Sequence, residues 1–138
     1  MAQAEKPILW SGVLIIRDRR VLTLKERDKS FYIMPGGKVE ARESDENAAA
    51  REALEELGVS VEIQKAFIEI VENSKNTGKL IRFKLFTGNF TKEPDIKNLP
   101  GRTESIAYIN SQYKQDNIDV GNLLIKLLPE LVKQDLID

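Results

Sequence analysis

The segment at residues 37–59 constrains this chain more than any other part of it, because it sets charged residues at fixed spacings between two glycines. It reads GKVEARESDENAAAREALEELGV. Gly37 is followed after five residues by Glu43, and after seven more by an Arg-Glu pair. A Glu-Glu pair comes next, just before the second glycine. A pattern with this many fixed positions is far more specific than a lone glycine motif.

Ser44 and Gly58 are suited to begin and end a helix over the acidic part of this segment. A serine caps helix N-termini well, the acids after it favour the positive end of the helix dipole, and glycine ends helices. At about 100° per residue, Glu55 lies about 60° to one side of Glu52 and Glu56 about 40° to the other. The helix therefore presents three carboxylates on one face.

The opposite face of this helix is predicted to pack on a sheet. That face carries four apolar residues: Ala50, Ala53, Leu54 and Leu57. Ala48 and Ala49 precede the acids by one turn on the acidic face, where their small size leaves space. Like charges at this spacing repel, so a positive ligand is expected. Mg²⁺ suits carboxylate ligands, and Mn²⁺ is a second candidate.

The complete pattern resembles the signature of the Nudix hydrolases, and only Ala53 is smaller than the bulky aliphatic residue usual at its position. The resemblance implies an α/β (α+β) fold, the Nudix α/β/α sandwich with a mixed sheet. It also implies a reaction, in which a metal-activated water attacks one phosphorus of a nucleoside diphosphate linked to another group.

The resemblance further implies catalytic and metal-binding residues. In the family, the residues matching Glu55 and Glu56 bind metal, often together with the backbone carbonyl of the glycine matching Gly37. The residue matching Glu52 binds metal or helps to activate water. For any single glutamate here, a solvated helix face is the simpler interpretation, and it is the joint spacing that favours a site.

Glu43 and Arg51 match a supporting ion pair of the family, which orients the loop against the helix. Arg51 also stands four residues before Glu55, a spacing at which the two side chains can pair on a helix. The sequence does not decide whether Arg51 pairs with Glu43 or with Glu55.

Several charged residues outside the segment are further candidates. Many family members use an additional acid from a later loop, and Glu93, Asp95 and Glu104 are available here. Glu104 is preferred as a metal ligand because it directly precedes a predicted strand, although a solvent-facing loop charge is an equal alternative. Arg82 and Lys84 are candidate ligands of the substrate phosphates, against the alternative that they form the solvated face of a strand.

Aromatic residues are candidates to stack on a nucleotide base, although core packing is the preferred interpretation for most of them. Those considered are Trp10, Phe31, Tyr32, Phe83 and Phe86.

The rest of the chain alternates predicted strands and loops and ends in a helix. Strands at 8–16 and 21–24 are predicted to be joined by a tight turn, and a strand at 31–34 precedes a Pro-Gly-Gly loop. Two longer strands at 59–71 and 80–90 are joined by a turn at 73–78. A last strand is predicted at 105–109, after a loop at 92–103. An amphipathic helix is predicted at 120–136, with Pro129 kinking it or starting its second half.

Composition bounds the remaining possibilities. The 138 residues suit one domain at 1–138 with a substantial core, and no run of about 20 apolar residues is present. The chain has no cysteine and no histidine, so proton transfer and metal binding fall mainly to carboxylates. A formal net charge of −1 argues against stable nucleic-acid binding. We expect a cytoplasmic monomer or homodimer with no membrane association and a small nucleotide-type substrate.

The choice of substrate is by elimination. Signatures that accompany ADP-ribose, coenzyme A, NADH or diadenosine polyphosphate hydrolysis in the family are missing. The short length and the sequence IMPGGKVE are similar to MutT-type nucleoside triphosphate pyrophosphohydrolases, which release a nucleoside monophosphate and pyrophosphate. Another substrate, such as ADP-ribose, a nucleotide sugar or a dinucleoside polyphosphate, is the alternative. A non-catalytic nucleotide-sensing module is less favoured, because such proteins commonly lose glutamates of the signature and none is lost here.

Overall fold

The computed structural model describes residues 6–73 and 78–138. Eight strands and two helices follow one another within these ranges: β1 (Ile8–Leu14), β2 (Ile16–Arg17), β3 (Arg20–Glu26), β4 (Tyr32–Ile33), β5 (Gly36–Lys38), α1 (Asp45–Leu57), β6 (Val61–Asn73), β7 (Leu80–Phe90), β8 (Thr103–Ile109) and α2 (Asn122–Lys133). The predicted α/β (α+β) class is confirmed. Most of the turn predicted at 73–78 lies outside the described residues.

The strands form two sheets. The first has the order β5-β1-β7-β6, in which β1 runs parallel to β7 while the β5-β1 and β7-β6 pairs are antiparallel. In the second, β3 pairs antiparallel with β2, β4 and β8. The prediction of a mixed sheet is therefore confirmed, and β5 lies at one edge of it.

Side chains at the end of β1 divide the core between the two helices. Val13 and Ile15 belong to a buried cluster that includes Ala53 and Leu57 of α1. Leu14, between them in sequence, belongs to the cluster around the buried leucines of α2. Successive residues of a strand point to opposite faces, so the two helices cover opposite sides of the sheet. This is the predicted α/β/α sandwich.

Both ends of α1 are capped by the predicted residues. The Ser44 hydroxyl accepts a hydrogen bond from the Asn47 backbone N–H at 3.1 Å. At the other end Gly58 has a φ of 75°, and its N–H donates to the Leu54 carbonyl at 2.9 Å. These local contacts fix the length of the helix that carries the acids.

The glycines after Pro35 form a strand rather than the predicted loop. Gly36 pairs with Gly12 and Gly37 with Ser11 of β1. Local sequence favours a turn at two glycines, but pairing with a distant strand overrides that preference. Because these residues carry no side chains, other groups pack directly on both faces of β5.

The predicted C-terminal helix is shorter than expected and continues through Pro129. It spans Asn122–Lys133, against the predicted 120–136, and it buries four leucines against the sheet. No helix of residues 6–73 and 78–138 is long and apolar enough to cross a membrane.

Candidate active site

The last two turns of α1 lie against β5. The Gly36 N–H donates to Glu56 Oε1 at 2.8 Å. A Cβ placed on Gly37 would lie 2.5 and 2.6 Å from the two carboxylate oxygens of Glu52. The Glu52 carboxylate thus rests on the glycine backbone, which leaves no room for a side chain at this position. Glu55, the third acid, is mostly exposed.

Glu56 is an unusual carboxyl group because it is largely enclosed and has other acids around it. Burial, together with the charges of Glu52, Glu26 and Glu55, raises its pKa to about 8, against a lowering effect of the Gly36 N–H. Strongly shifted pKa values of this kind concentrate at functional sites.

Arg51 connects α1 to the loop that precedes it. Its guanidinium donates to both carboxylate oxygens of Glu43, at 2.7 and 2.9 Å, and to the Lys38 carbonyl at 3.0 Å. The hydrogen bonds from Arg51 lower the pKa of Glu43 to about 2, so this carboxyl stays ionised at any ordinary pH. The pair joins α1 to the loop before it, and its orienting role stays a prediction.

Arg51 also reaches the acids of α1 itself. It donates to Glu52 Oε1 at 2.9 Å and lies 3.3 Å from Glu55 Oε1. The same guanidinium therefore contacts both Glu43 and Glu55, between which the sequence did not decide. A fork of five donors makes such sharing possible for arginine and not for lysine.

The prediction of which face of α1 packs on the sheet was correct for Ala53 and Leu57, which are buried, and wrong for Leu54. Ala48 and Ala49 are fully buried, whereas Leu54 is half exposed. The packed face continues from these alanines through Glu52 and Glu56, because β5 covers the side of the helix that the acids occupy. Open space lies on the side of Glu55, not above Ala48 and Ala49.

The additional acid that the structure brings near the signature acids is Glu26, which the sequence analysis did not select. It ends β3, and its charge is among those that raise the pKa of Glu56. The preferred candidate Glu104 instead forms an ion pair with Lys25. The available signal for Glu26 was its position two residues after the strand predicted at 21–24, whereas Glu104 directly precedes the strand predicted at 105–109.

The two other acids considered are engaged in local contacts. Glu93 pairs with Arg17. Asp95 Oδ1 accepts a hydrogen bond from the Lys97 N–H at 3.1 Å, which closes a turn of its own loop. Neither contact brings these carboxylates to Glu56.

Arg82 and Lys84 lie at the other end of α1 from the acids. Arg82 donates to both carboxylate oxygens of Asp45, the first residue of the helix, at 3.0 and 2.5 Å. Lys84 Nζ lies 3.6 Å from Asp45 Oδ2. Eleven residues of helix, about 16 Å, separate Asp45 from Glu56. Both cations are thus neutralised away from the acids, although the sequence indicated them as phosphate ligands.

An apolar pocket of about 220 Å³ opens on the other face of β5. It is lined by Trp10, Phe31, Ile33, Met34, Phe83, Gly121, Asn122, Leu123 and Leu124. The rings of Trp10 and Phe83 are tilted, with centroids 5.3 Å apart. Three of the five aromatic candidates thus line a pocket, while Phe86 is buried and the Tyr32 hydroxyl contacts Ser105 Oγ at 3.1 Å.

The donor chemistry of the acidic end suits a hard divalent cation. Carboxylate oxygens are the ligands that Mg²⁺ and Mn²⁺ prefer, and an enclosed carboxyl with a pKa of about 8 gains from a nearby positive charge. Among the described residues no three acids converge on a single point. Joint binding by Glu52, Glu55 and Glu56 therefore requires side-chain rotation, for which the exposed Glu55 has room.

Solved structures of proteins named as Nudix hydrolases share this fold. A NUDIX hydrolase from Nitrosomonas europaea superposes with a TM-score of 0.77 over 94% of this chain and 90% of that one, at 19% identity. A MutT NUDIX hydrolase from Burkholderia pseudomallei superposes with a TM-score of 0.65 over 76% of this chain and 84% of that one, at 28% identity.

Sequence comparison also finds Nudix and MutT-like proteins. A MutT-like protein of Streptomyces ambofaciens is 36% identical over 67 residues, which are 46% of this chain and 44% of that protein. The chain thus spans less than half the length of that relative. The family model described as the NUDIX domain matches residues 9–110, well over half of the 138 residues. The chain belongs to the Nudix hydrolase family.

Proposed function

We propose that this protein is a divalent-metal-dependent hydrolase of nucleoside diphosphate derivatives, and that its substrate is a nucleoside triphosphate. Water and the triphosphate would yield a nucleoside monophosphate and pyrophosphate. The observation that carries the proposal is the position of β5, which has the acids of α1 on one face and an aromatic pocket on the other.

The two faces of β5 offer the two kinds of contact that a nucleotide needs. A base fits an apolar pocket walled by aromatic rings, and the Asn122 amide supplies both a donor and an acceptor to read its edge. The phosphates would pass the free edge of β5, where Gly36 and Gly37 have no side chains, to reach the acids. This arrangement places base and phosphates on opposite sides of one strand.

The residues of α1 have distinct roles in this proposal. Glu52, placed on Gly37 and oriented by Arg51, is the candidate to accept a proton from the attacking water. Glu55 and Glu56 are the candidate metal ligands. A bound divalent cation supplies charge to polarise the phosphoryl oxygens and lowers the pKa of the water. Without histidine in the chain, proton transfer at the site depends on carboxylates.

The choice of a triphosphate substrate is supported by similarity. The relative from Streptomyces ambofaciens is MutT-like, and so by its name is the 28% identical structure from Burkholderia pseudomallei. The pocket and acids alone are compatible with any nucleoside diphosphate derivative. The triphosphate is therefore the finer part of the proposal.

The test is a panel of nucleoside triphosphates, ADP-ribose, nucleotide sugars and dinucleoside polyphosphates with Mg²⁺, analysed by product identification. We expect the highest kcat/KM with a triphosphate, and pyrophosphate as a product. Carrying out the reaction in ¹⁸O-labelled water also shows which phosphorus is attacked. Preferred hydrolysis of ADP-ribose would overturn the finer proposal, and no hydrolysis of any compound would overturn the enzyme and favour a nucleotide-sensing module.

A further inference from the structure

A second, polar cleft of about 410 Å³ lies between the end of β3 and the loop that follows β7. It is lined by Arg27, Ile96, Lys97, Asn98, Leu99, Thr103 and Glu104. Most of these side chains are polar or charged, in contrast to the aromatic pocket. The chemistry of this cleft therefore suits an ionic ligand rather than a base.

The cleft borders the acidic end of α1. Pro100 packs on Gly58, where an added Cβ would lie 3.3 Å from the proline ring. The neighbouring Gly101 lies beside the Glu55 carbonyl, 3.7 Å from the position of an added Cβ. On the other wall, Glu26 is close enough to Glu56 to raise its pKa, and Arg27 is the next residue. Both walls of the cleft thus meet the end of the helix that carries the acids.

Two cations of the cleft lack a charged partner. In the part of the chain that the structure describes, Arg27 and Lys97 form no side-chain hydrogen bond or ion pair. Nearby basic residues differ: Arg102 is held by Glu26 and Asp28, and Lys25 by Glu104.

The cleft therefore carries two uncompensated positive charges. Its one lining acid, Glu104, is already paired with Lys25. Arginine and lysine are the usual ligands of phosphate groups. Free cations beside a cluster of carboxylates form the complementary half of a site for a substrate with several phosphates.

We propose that this cleft is an anion subsite that binds the distal phosphates of the substrate, the part released as pyrophosphate. Arg27 and Lys97 supply the positive charge, and the Asn98 amide supplies a neutral donor. The inference rests on the proposed function, and it replaces Arg82 and Lys84, which Asp45 neutralises, as phosphate ligands. A substrate with free terminal phosphates gains from this subsite, and one whose second half is a sugar does not.

The test compares Arg27→Ala plus Lys97→Ala with a matched double variant, Arg20→Ala plus Lys65→Ala. Arg20 begins the strand whose other end precedes Arg27, and Lys65 is an exposed lysine of β6. Calorimetric titration with inorganic pyrophosphate, in the presence of a chelator, measures the subsite without catalysis. We expect the cleft variant to bind pyrophosphate at least about tenfold more weakly than the wild type and the matched variant to bind it equally.

Steady-state kinetics supply the second measurement. The cleft variant should raise KM for a triphosphate at least about tenfold, change kcat by less than about threefold, and leave KM for ADP-ribose unchanged. Equal pyrophosphate affinity in wild type and cleft variant, or no saturable binding by the wild type, would overturn the subsite while triphosphate hydrolysis could still stand. Loss of pyrophosphate binding in a protein that hydrolyses no nucleotide would support the subsite and refute the proposed function.

Discussion

Glu56 combines at one residue the burial, hydrogen bonding and charge crowding that distinguish this site. Its carboxyl accepts one backbone N–H, yet burial raises its pKa to about 8 from a usual value of 4.5. The metal-free protein therefore keeps this group protonated at neutral pH. A cation bound beside it would displace the proton, so metal affinity should increase as pH rises towards 8.

A stability prediction follows from the same pKa. Between pH 4.5 and 8 the folded protein holds a proton on Glu56 that the unfolded chain releases, so the free energy of unfolding falls as pH rises through this range. The total loss is on the order of 5 kcal/mol. Denaturant unfolding with a chelator present measures it, and Glu56→Gln should remove that slope and be the more stable protein at pH 8. Parallel pH profiles for wild type and variant would contradict the pKa, and Glu62→Gln, on an exposed strand position, is the control.

Two glycines of the paired strands are predicted to respond differently to alanine. At Gly37 the added methyl meets the flexible end of Glu52, so the carboxylate moves while the fold remains. We expect activity to drop at least about tenfold with a melting temperature within a few degrees of the wild type.

At Gly12 the methyl meets the Pro35 carbonyl and the Trp10 ring, which cannot move as easily. Gly12→Ala should lower the melting temperature by roughly 5 °C or more. The same loss of stability in both variants would contradict the assignment of Gly37.

At the scale of elements, α1 is held by ionic contacts at both ends that have different purposes. Arg51 connects the acidic end to the loop before the helix through Glu43, and to the last residue of β5 through the Lys38 carbonyl. Arg82 of β7 holds the N-terminal end through Asp45, and the bond from Arg82 lowers the pKa of that carboxyl. The first contact orients the acids, and the second fixes the helix on the sheet.

Arg82→Ala should therefore affect stability more than catalysis. The substitution leaves Asp45 without its bidentate partner, and we expect the free energy of unfolding to fall by roughly 1–3 kcal/mol. Values of kcat and KM should stay within about threefold of the wild type. Chemical denaturation and steady-state kinetics on the same preparation separate the two effects, with Lys84→Ala as the milder companion. A large rise in KM at unchanged stability would restore Arg82 as a phosphate ligand.

How far the sequence predicts each element depends on the range of its contacts. The boundaries of α1 were predictable because Ser44 and Gly58 act on neighbouring backbone groups. The strand at Gly36–Lys38 was not, because it exists only through pairing with β1. The packed face of α1 was predicted only in part for the same reason: its acids were placed on the open face, whereas β5 covers Glu52 and Glu56. Glu26 joins the acids through the sheet, which no local pattern shows.

At the scale of the whole fold, the mixed sheet brings together segments that are far apart in sequence. Trp10, Phe83 and Asn122 come from β1, β7 and α2, and they form one pocket behind the strand that carries Gly37 of the signature. The signature alone predicted the acidic half of the candidate site. The aromatic half depends on strand order, and sequence reasoning placed most of its residues in the core.

Trp10 is the only tryptophan of the chain and therefore reports on this pocket. We expect a nucleoside monophosphate to change its fluorescence in a saturable way, because the base would stack near the indole. Inorganic pyrophosphate has no base and serves as the matched control, with no change expected. An equal response to both ligands would show that the base does not enter the pocket.

The central claim is that the acids of α1 beside β5 carry out metal-dependent hydrolysis, and pyrophosphate release from a nucleoside triphosphate with Mg²⁺ tests it most directly. Glu55→Gln plus Glu56→Gln keeps the size of both side chains and removes their charges. We predict that this double variant loses about a thousandfold or more of kcat, while Glu46→Gln plus Glu62→Gln, at exposed positions, retains the wild-type rate. Unchanged release of pyrophosphate by the first variant would contradict the assignment of the active site.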